Sequence, residues 1–216
     1  GSTDYITSGA TVSYTRAQLI RQIDPEFASG NNTLNVYDNA SSGKTTITRI
    51  TSGAPAGLPN NSGKCLKITN TGAGPSPGLG GFYTGVTGAA GETYICTFTA
   101  YVPTGHNVVF TSNATGNETT RTWLTPNAGT GGWYTYAYQV KYGTTGTLSS
   151  TFFFYLDGTA GSASAPLNWY IANCTTCKVT NVGTSGPAIN ASTGAVTLPS
   201  LGTTVQDARA VELGAT

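Results

Sequence analysis

Charge is what this chain has least of. Asp, Glu, Lys and Arg together make up 9% of its 216 residues, with ten basic residues against nine acidic ones, where about a quarter is usual. A net charge of +1 supplies no field for a phosphate backbone, so nucleic acid is not an expected partner. No run approaches 18 apolar residues, so no membrane insertion by a helix is expected. There is one histidine, His106, set in a Pro-Thr-Gly-His turn, and there is no methionine. A Ser-His-Asp or Cys-His constellation therefore has little to be built from. Four cysteines are present, of which Cys174-x-x-Cys177 is one half of a two-part zinc pattern whose second half is missing; no metal and no cofactor are expected.

What replaces charge is Gly, Thr, Ser and Asn, with 29 Gly and 10 Pro. Such a mixture is compatible with disorder, but 12 Tyr, 7 Phe and 3 Trp point to a core that needs filling. Thr, Tyr and Val punctuated by Gly and Pro read as many short strands. Strand-like runs recur at Asn35–Tyr37, Thr45–Ile50, Lys64–Asn70, Gly81–Thr84, Thr93–Val102, Val108–Thr111, Trp133–Tyr142, Ser150–Asp157 and Asn168–Thr180. Their number and spacing predict an all-β, antiparallel jelly-roll sandwich over residues 21–182. Residues 1–20 read as a lead-in, and residues 183–216 as an extended tail with one weak strand at Ala195–Leu198. A short helix is expected near Val205–Leu213, where Thr204-x-x-Asp207 resembles a capping box.

Alternation assigns the faces. Tyr134, Tyr136, Tyr138, Val140 and Tyr142 share one side of their strand and are expected to face the core, a sugar platform being the other reading of such a row. Cys96, with Tyr94 and Phe98, is expected inside. Cys174 and Cys177, three apart in an extended strand, point to opposite faces and are expected not to bridge. Two strands are apolar on both sides. In one, Phe152, Phe154 and Leu156 oppose Phe153 and Tyr155; in the other, Trp169 and Ile171 oppose Tyr170 and Ala172. The outer side of each needs a cover, which is a loop of the same chain, a neighbouring subunit or a ligand.

Five segments, in order, resemble the jelly-roll carbohydrate-binding modules found beside glycoside hydrolases. They are Asp24-Pro25-Glu26-Phe27-x-x-Gly30, Ser62-Gly63-Lys64-Cys65-Leu66-Lys67-Ile68, Gly91-Glu92-Thr93-Tyr94 through Tyr101-Val102, Gly132-Trp133, and Tyr170-Ile171-Ala172-Asn173. That class often carries paired acidic residues after the last Ile, which help to hold calcium; Ala172-Asn173 stand there instead. Modules in tail or head fibres of tailed bacteriophages are also similar. The shared segments are Asp24-Pro25-x-Phe27, Ser76-Pro77-Gly78-Leu79-Gly80-Gly81-Phe82, Trp123-Leu124-Thr125, Gly129-Thr130-Gly131-Gly132-Trp133 and Phe154-Tyr155-Leu156. The resemblance implies a non-catalytic module on an extracellular virion surface. It would bind a cell-surface glycan, associate with other virion fibre segments, and form a homotrimer. Two alternatives stand beside it: a purely structural fibre or decoration domain, and a binding module appended to a glycoside hydrolase.

An enzyme is not expected. A glycosidase needs two converging carboxylates, and only Glu118 and Asp157 lie near aromatic-rich segments. Sugar contact needs accessible rings flanked by polar groups. The residues expected to supply it are Tyr101, on the face opposite Tyr94 and Phe98; Trp123 with Arg121, in a polar loop; Phe153, Tyr155 and Asp157, on one face; and Trp169, which is either core or interface. Trp133, after two glycines, is expected to plug the end of the sandwich.

Overall fold

The computed structural model describes residues 15–21, 25–31, 34–38, 43–73, 78–112, 118–143, 147–181, 188–189 and 196–197. Residues 1–14 of the lead-in and the helix expected at Val205–Leu213 lie outside them. The described part is all-β and contains no helix. Its strands are β1 (Thr15–Arg21), β2 (Asn35–Tyr37), β3 (Thr45–Ile50), β4 (Cys65–Asn70), β5 (Gly81–Ala89), β6 (Thr93–Tyr101), β7 (Val108–Ser112), β8 (Glu118–Trp123), β9 (Trp133–Tyr142), β10 (Thr147–Leu156), β11 (Leu167–Asn181), β12 (Ala188–Ile189) and β13 (Val196–Thr197).

They form a jelly-roll-like sandwich of two antiparallel sheets. The larger runs β3-β4-β11-β6-β9-β8, with β1 added on β11, and the smaller runs β2-β5-β10-β7. The 15-residue strand β11 is long enough to serve two partners along one edge. Its first part pairs with β4 and its last part with β1. Between them Cys174 N donates to Pro25 O at 3.1 Å, so the approach to β2 fills the gap. β1 corrects the lead-in reading of residues 1–20, since Thr15–Arg21 belongs to the sheet. β8 corrects another: the stretch around Arg121 and Trp123 is an edge strand, not a polar loop. The weak strand expected at Ala195–Leu198 is β13, which pairs with β12.

The interior is aromatic. Phe82, Phe98 and Phe154 meet at centroid distances of 4.9 to 5.3 Å, and Phe110 stacks on Tyr138 at 4.0 Å. Tyr136, Tyr138, Val140 and Tyr142 are buried as core, so the tyrosine stripe of β9 faces inward. Phe27 joins them from a loop at a φ of 57°. That turn is held because Arg49 donates to Phe27 O and Ala28 O, and Lys64 Nζ to Ala28 O.

All four cysteines are free. Cys96 is buried, as its strand face requires, with its sulfur 4.0 Å from that of Cys174. Cys177 lies on the opposite side of β11, opposite Leu19 and Ile95 in register. Burial pushes the Cys65 thiol from 9.0 up to about 11. Cys174 is raised by its hydrogen bond to Cys96 and then by burial. Burial, with Tyr134 beside it, lifts Tyr136 to about 12. Each group is neutral when folded and ionises more readily when unfolded, so the unfolded chain loses protons first as pH rises. The stabilisation is therefore complete below about pH 9 and is lost between roughly pH 9 and 12. Thermal midpoints should be level from about pH 6 to 8 and then fall. Thiol titration should find four groups after denaturation without reductant, and slow reaction in the native protein at pH 8. A rising midpoint above pH 9 would contradict this assignment.

Candidate functional site

Directly opposed residues of antiparallel strands share a face. On the outer side of the larger sheet, one row runs Thr48, Lys67, Tyr170, Tyr101 and Trp133, across β3, β4, β11, β6 and β9. The three rings adjoin. Tyr101 lies 5.8 Å from Trp133 at 76° and 6.3 Å from Tyr170 at 84°, an edge-to-face order that suits ring quadrupoles. All three are partly accessible. Much of the surrounding face is threonine: Thr93, Thr97, Thr99, Thr135 and Thr175 occupy outward positions of β6, β9 and β11.

The β3–β4 connection crosses this face. Trp133 Nε1 donates to Ala56 O at 3.1 Å, although Trp133 is four strands from β3, about 19 Å at the usual strand spacing. On the return, Asn60 Nδ2 donates to Ala172 O and to Lys64 O, both at 2.7 Å. The crossing accounts for the burial of Cys65 and Ala172, which lie on its path. The row thus has a loop along one flank. Polar groups lie on both sides: Thr69 Oγ1 donates to Asn168 Oδ1 at 2.8 Å, and the Thr99 and Thr135 hydroxyls pair at 2.9 Å. Burial, followed by Cys65 and Tyr101, raises the Tyr170 phenol above its ordinary value, so at neutral pH its hydroxyl remains both donor and acceptor.

The residues singled out from sequence are scattered by the fold, and only Tyr101 belongs to this row. Trp169 is corrected from contact to core: it is fully buried against Phe82, and its Nε1 has no hydrogen-bond partner among the described residues. Trp123 opposes Tyr138 on the inner side of β8, with ring centroids 4.9 Å apart. Arg121 lies over Phe110 of β7 at 5.4 Å. These two close the side of the sandwich where β7 and β8 are the sheet edges, so neither is presented on an outer face. Phe153 and Tyr155 do share the outer face of the smaller sheet, packed on Tyr37 at 4.8 and 5.6 Å. Tyr155 is nevertheless only 7% exposed, beneath Gly78 of its own chain. Asp157 is committed to Asn107, accepting from its N at 2.7 Å and its Nδ2 at 3.3 Å. On both doubly apolar strands the same chain covers part of the outer side, burying Tyr155 and Ala172 while Phe153 and Tyr170 stay partly accessible.

Lys67, Trp133 and Tyr170 were not among the expected contacts, yet alternation alone could have found them. Trp133 sits on the Thr135, Ala137, Gln139 side of β9, and Tyr170 opposes the core residue Trp169. Trp133 is not the plug of the sandwich end; Phe27 is the loop aromatic that enters the interior. No protein-family model matches the chain, and no curated protein matches it in sequence.

Proposed function

We propose that this is a non-catalytic glycan-binding module whose ligand lies along Tyr170, Tyr101 and Trp133 beside the 51–60 crossing loop. The observation that carries the reading is the row itself: three adjoining, partly accessible rings on three neighbouring strands of an otherwise threonine-rich face. Rings stack on sugar C–H surfaces, and the flanking hydroxyls and amides are suited to sugar hydroxyls. Four carboxylates hold structural partners, which supports binding over hydrolysis. Glu26 holds the backbone of Asn61 and Ser62, Asp38 that of Gly43 to Thr45, Glu92 pairs with Lys178, and Asp157 is tied to Asn107. The sequence resemblance to tailed-phage fibre modules supports a role in host attachment from a virion surface.

A glycan screen with the purified protein tests the reading. Binding is expected in the range of about 10 μM to 1 mM per site. Tyr101→Ala and Trp133→Ala should each weaken it about tenfold, equivalent to roughly 1.4 kcal/mol. Trp133→Phe keeps a ring while releasing Ala56, and should lose less. An empty screen, or unchanged binding in both alanine variants with the thermal midpoint preserved, rejects the site.

A further inference from the structure

We infer that the ligand of the aromatic row is an acidic glycan, read by Lys67; the inference rests on the row being the glycan site. Lys67 is the only charged residue in the row, directly opposite Tyr170. The other described cations of this region are already engaged. Arg49 and Lys64 hold the carbonyls of the Phe27–Ala28 turn, and Lys178 pairs with Glu92. Lys67 has no ion pair or side-chain hydrogen bond among the described residues, yet it is partly buried. The paired positions of β3, β4, β6, β9 and β11 hold no carboxylate on this face, and Glu26, Asp38, Glu92 and Asp157 are fixed to other partners. A neutral sugar would desolvate the ammonium with little return. A carboxylate or sulfate ester would accept a charge-assisted hydrogen bond from it. The arrangement therefore favours an anionic group at the Tyr170 end of the row, with the remaining sugar rings toward Trp133.

Three matched pairs of probes test this: polygalacturonate and its carboxyl-reduced form, sialyllactose and lactose, and dextran sulfate and dextran. The acidic member of at least one pair should bind about five- to tenfold more tightly, as for a partly buried charged hydrogen bond. Which pair responds separates carboxylate from sulfate. In Lys67→Gln the preference should fall to onefold. Lys141→Gln removes the same charge from an outward position eight residues along β9 from Trp133, about 27 Å away, and should leave the preference intact. Equal binding of acidic and neutral members by the native protein overturns the inference. So does a preference that survives Lys67→Gln or falls equally in Lys141→Gln. Those outcomes leave the row as a glycan site, provided that Trp133→Ala weakens binding about tenfold. Binding of none of the six removes both readings.

Discussion

Replacing Trp169 by alanine should lower stability by about 3–5 kcal/mol, the range for deleting a large buried aromatic side chain. In a domain of this size that corresponds to a fall in thermal midpoint of roughly 6–20 °C. The ring is fully buried, it lies 6.0 Å from Phe82, and its strand is flanked by both β4 and β6. Neighbours on two sides restrict how far the cavity can collapse. Trp169→Phe should cost much less than the lost volume suggests, because it also removes an Nε1–H with no partner among the described residues. Leaving such a donor buried costs about 1–3 kcal/mol. Urea unfolding of the two variants measures the difference. An alanine variant within 1 kcal/mol of the native protein would show that the site relaxes freely.

A single methyl group at Gly81 should cost about 3 kcal/mol or abolish soluble expression. A Cβ there would stand 2.0 Å from Phe154 O and 2.8 Å from Tyr155 Cα. Both are backbone atoms of β10, held in the ladder opposite Gly81, so neither can swing aside as a side-chain tip would. The vacancy is also used on the outer face. Tyr37 is directly opposite Gly81 on β2 and reaches across to the ring of Tyr155 on the far side. Gly30→Ala is the control, since nothing lies within 4 Å of its added methyl and its φ is not in the left-handed region. It should change stability by about 0.5 kcal/mol at most. Midpoints that fall equally in the two variants would mean that the tight approach at Gly81 is not the cause.

Strands with one apolar side were legible from the residues. Alternation located β2, β3 and β9 with their observed limits and placed Cys96, Phe98 and the β9 tyrosines inside. It missed β8, Glu-Thr-Thr-Arg-Thr-Trp, because an edge strand closing the sandwich buries little, and one of its inward residues is the exposed Arg121. It missed β1 because a sheet position earned by pairing along β11 leaves no composition signal of its own. The site was less legible than the fold for a different reason. A segment read by itself shows only its own aromatic residues, whereas the row exists only across registers that link residues 67, 101, 133 and 170. Asn70 illustrates the same limit. It reads as a polar strand end, but it is buried, donating to Leu79 O and Gly72 O while accepting from Gly161 N. It ties together three segments that no local pattern connects.

Thr15 and Asn181 are partners at the outermost rung of the β1–β11 ladder. Their Cα atoms stand about 5 Å apart, as in any antiparallel pair. Tension applied between the residues before Thr15 and those after Asn181 acts across this ladder rather than along it. Hydrogen bonds pulled crosswise fail one rung at a time, because each bears the whole load in turn. Once β1 has peeled away, the force passes to the β11–β6 ladder and enters it at Val179 and Thr93. Tyr170 and Tyr101 are the last rung of that same ladder. Under a pull from its two ends the module yields progressively from the side remote from the aromatic row, and that row is reached last.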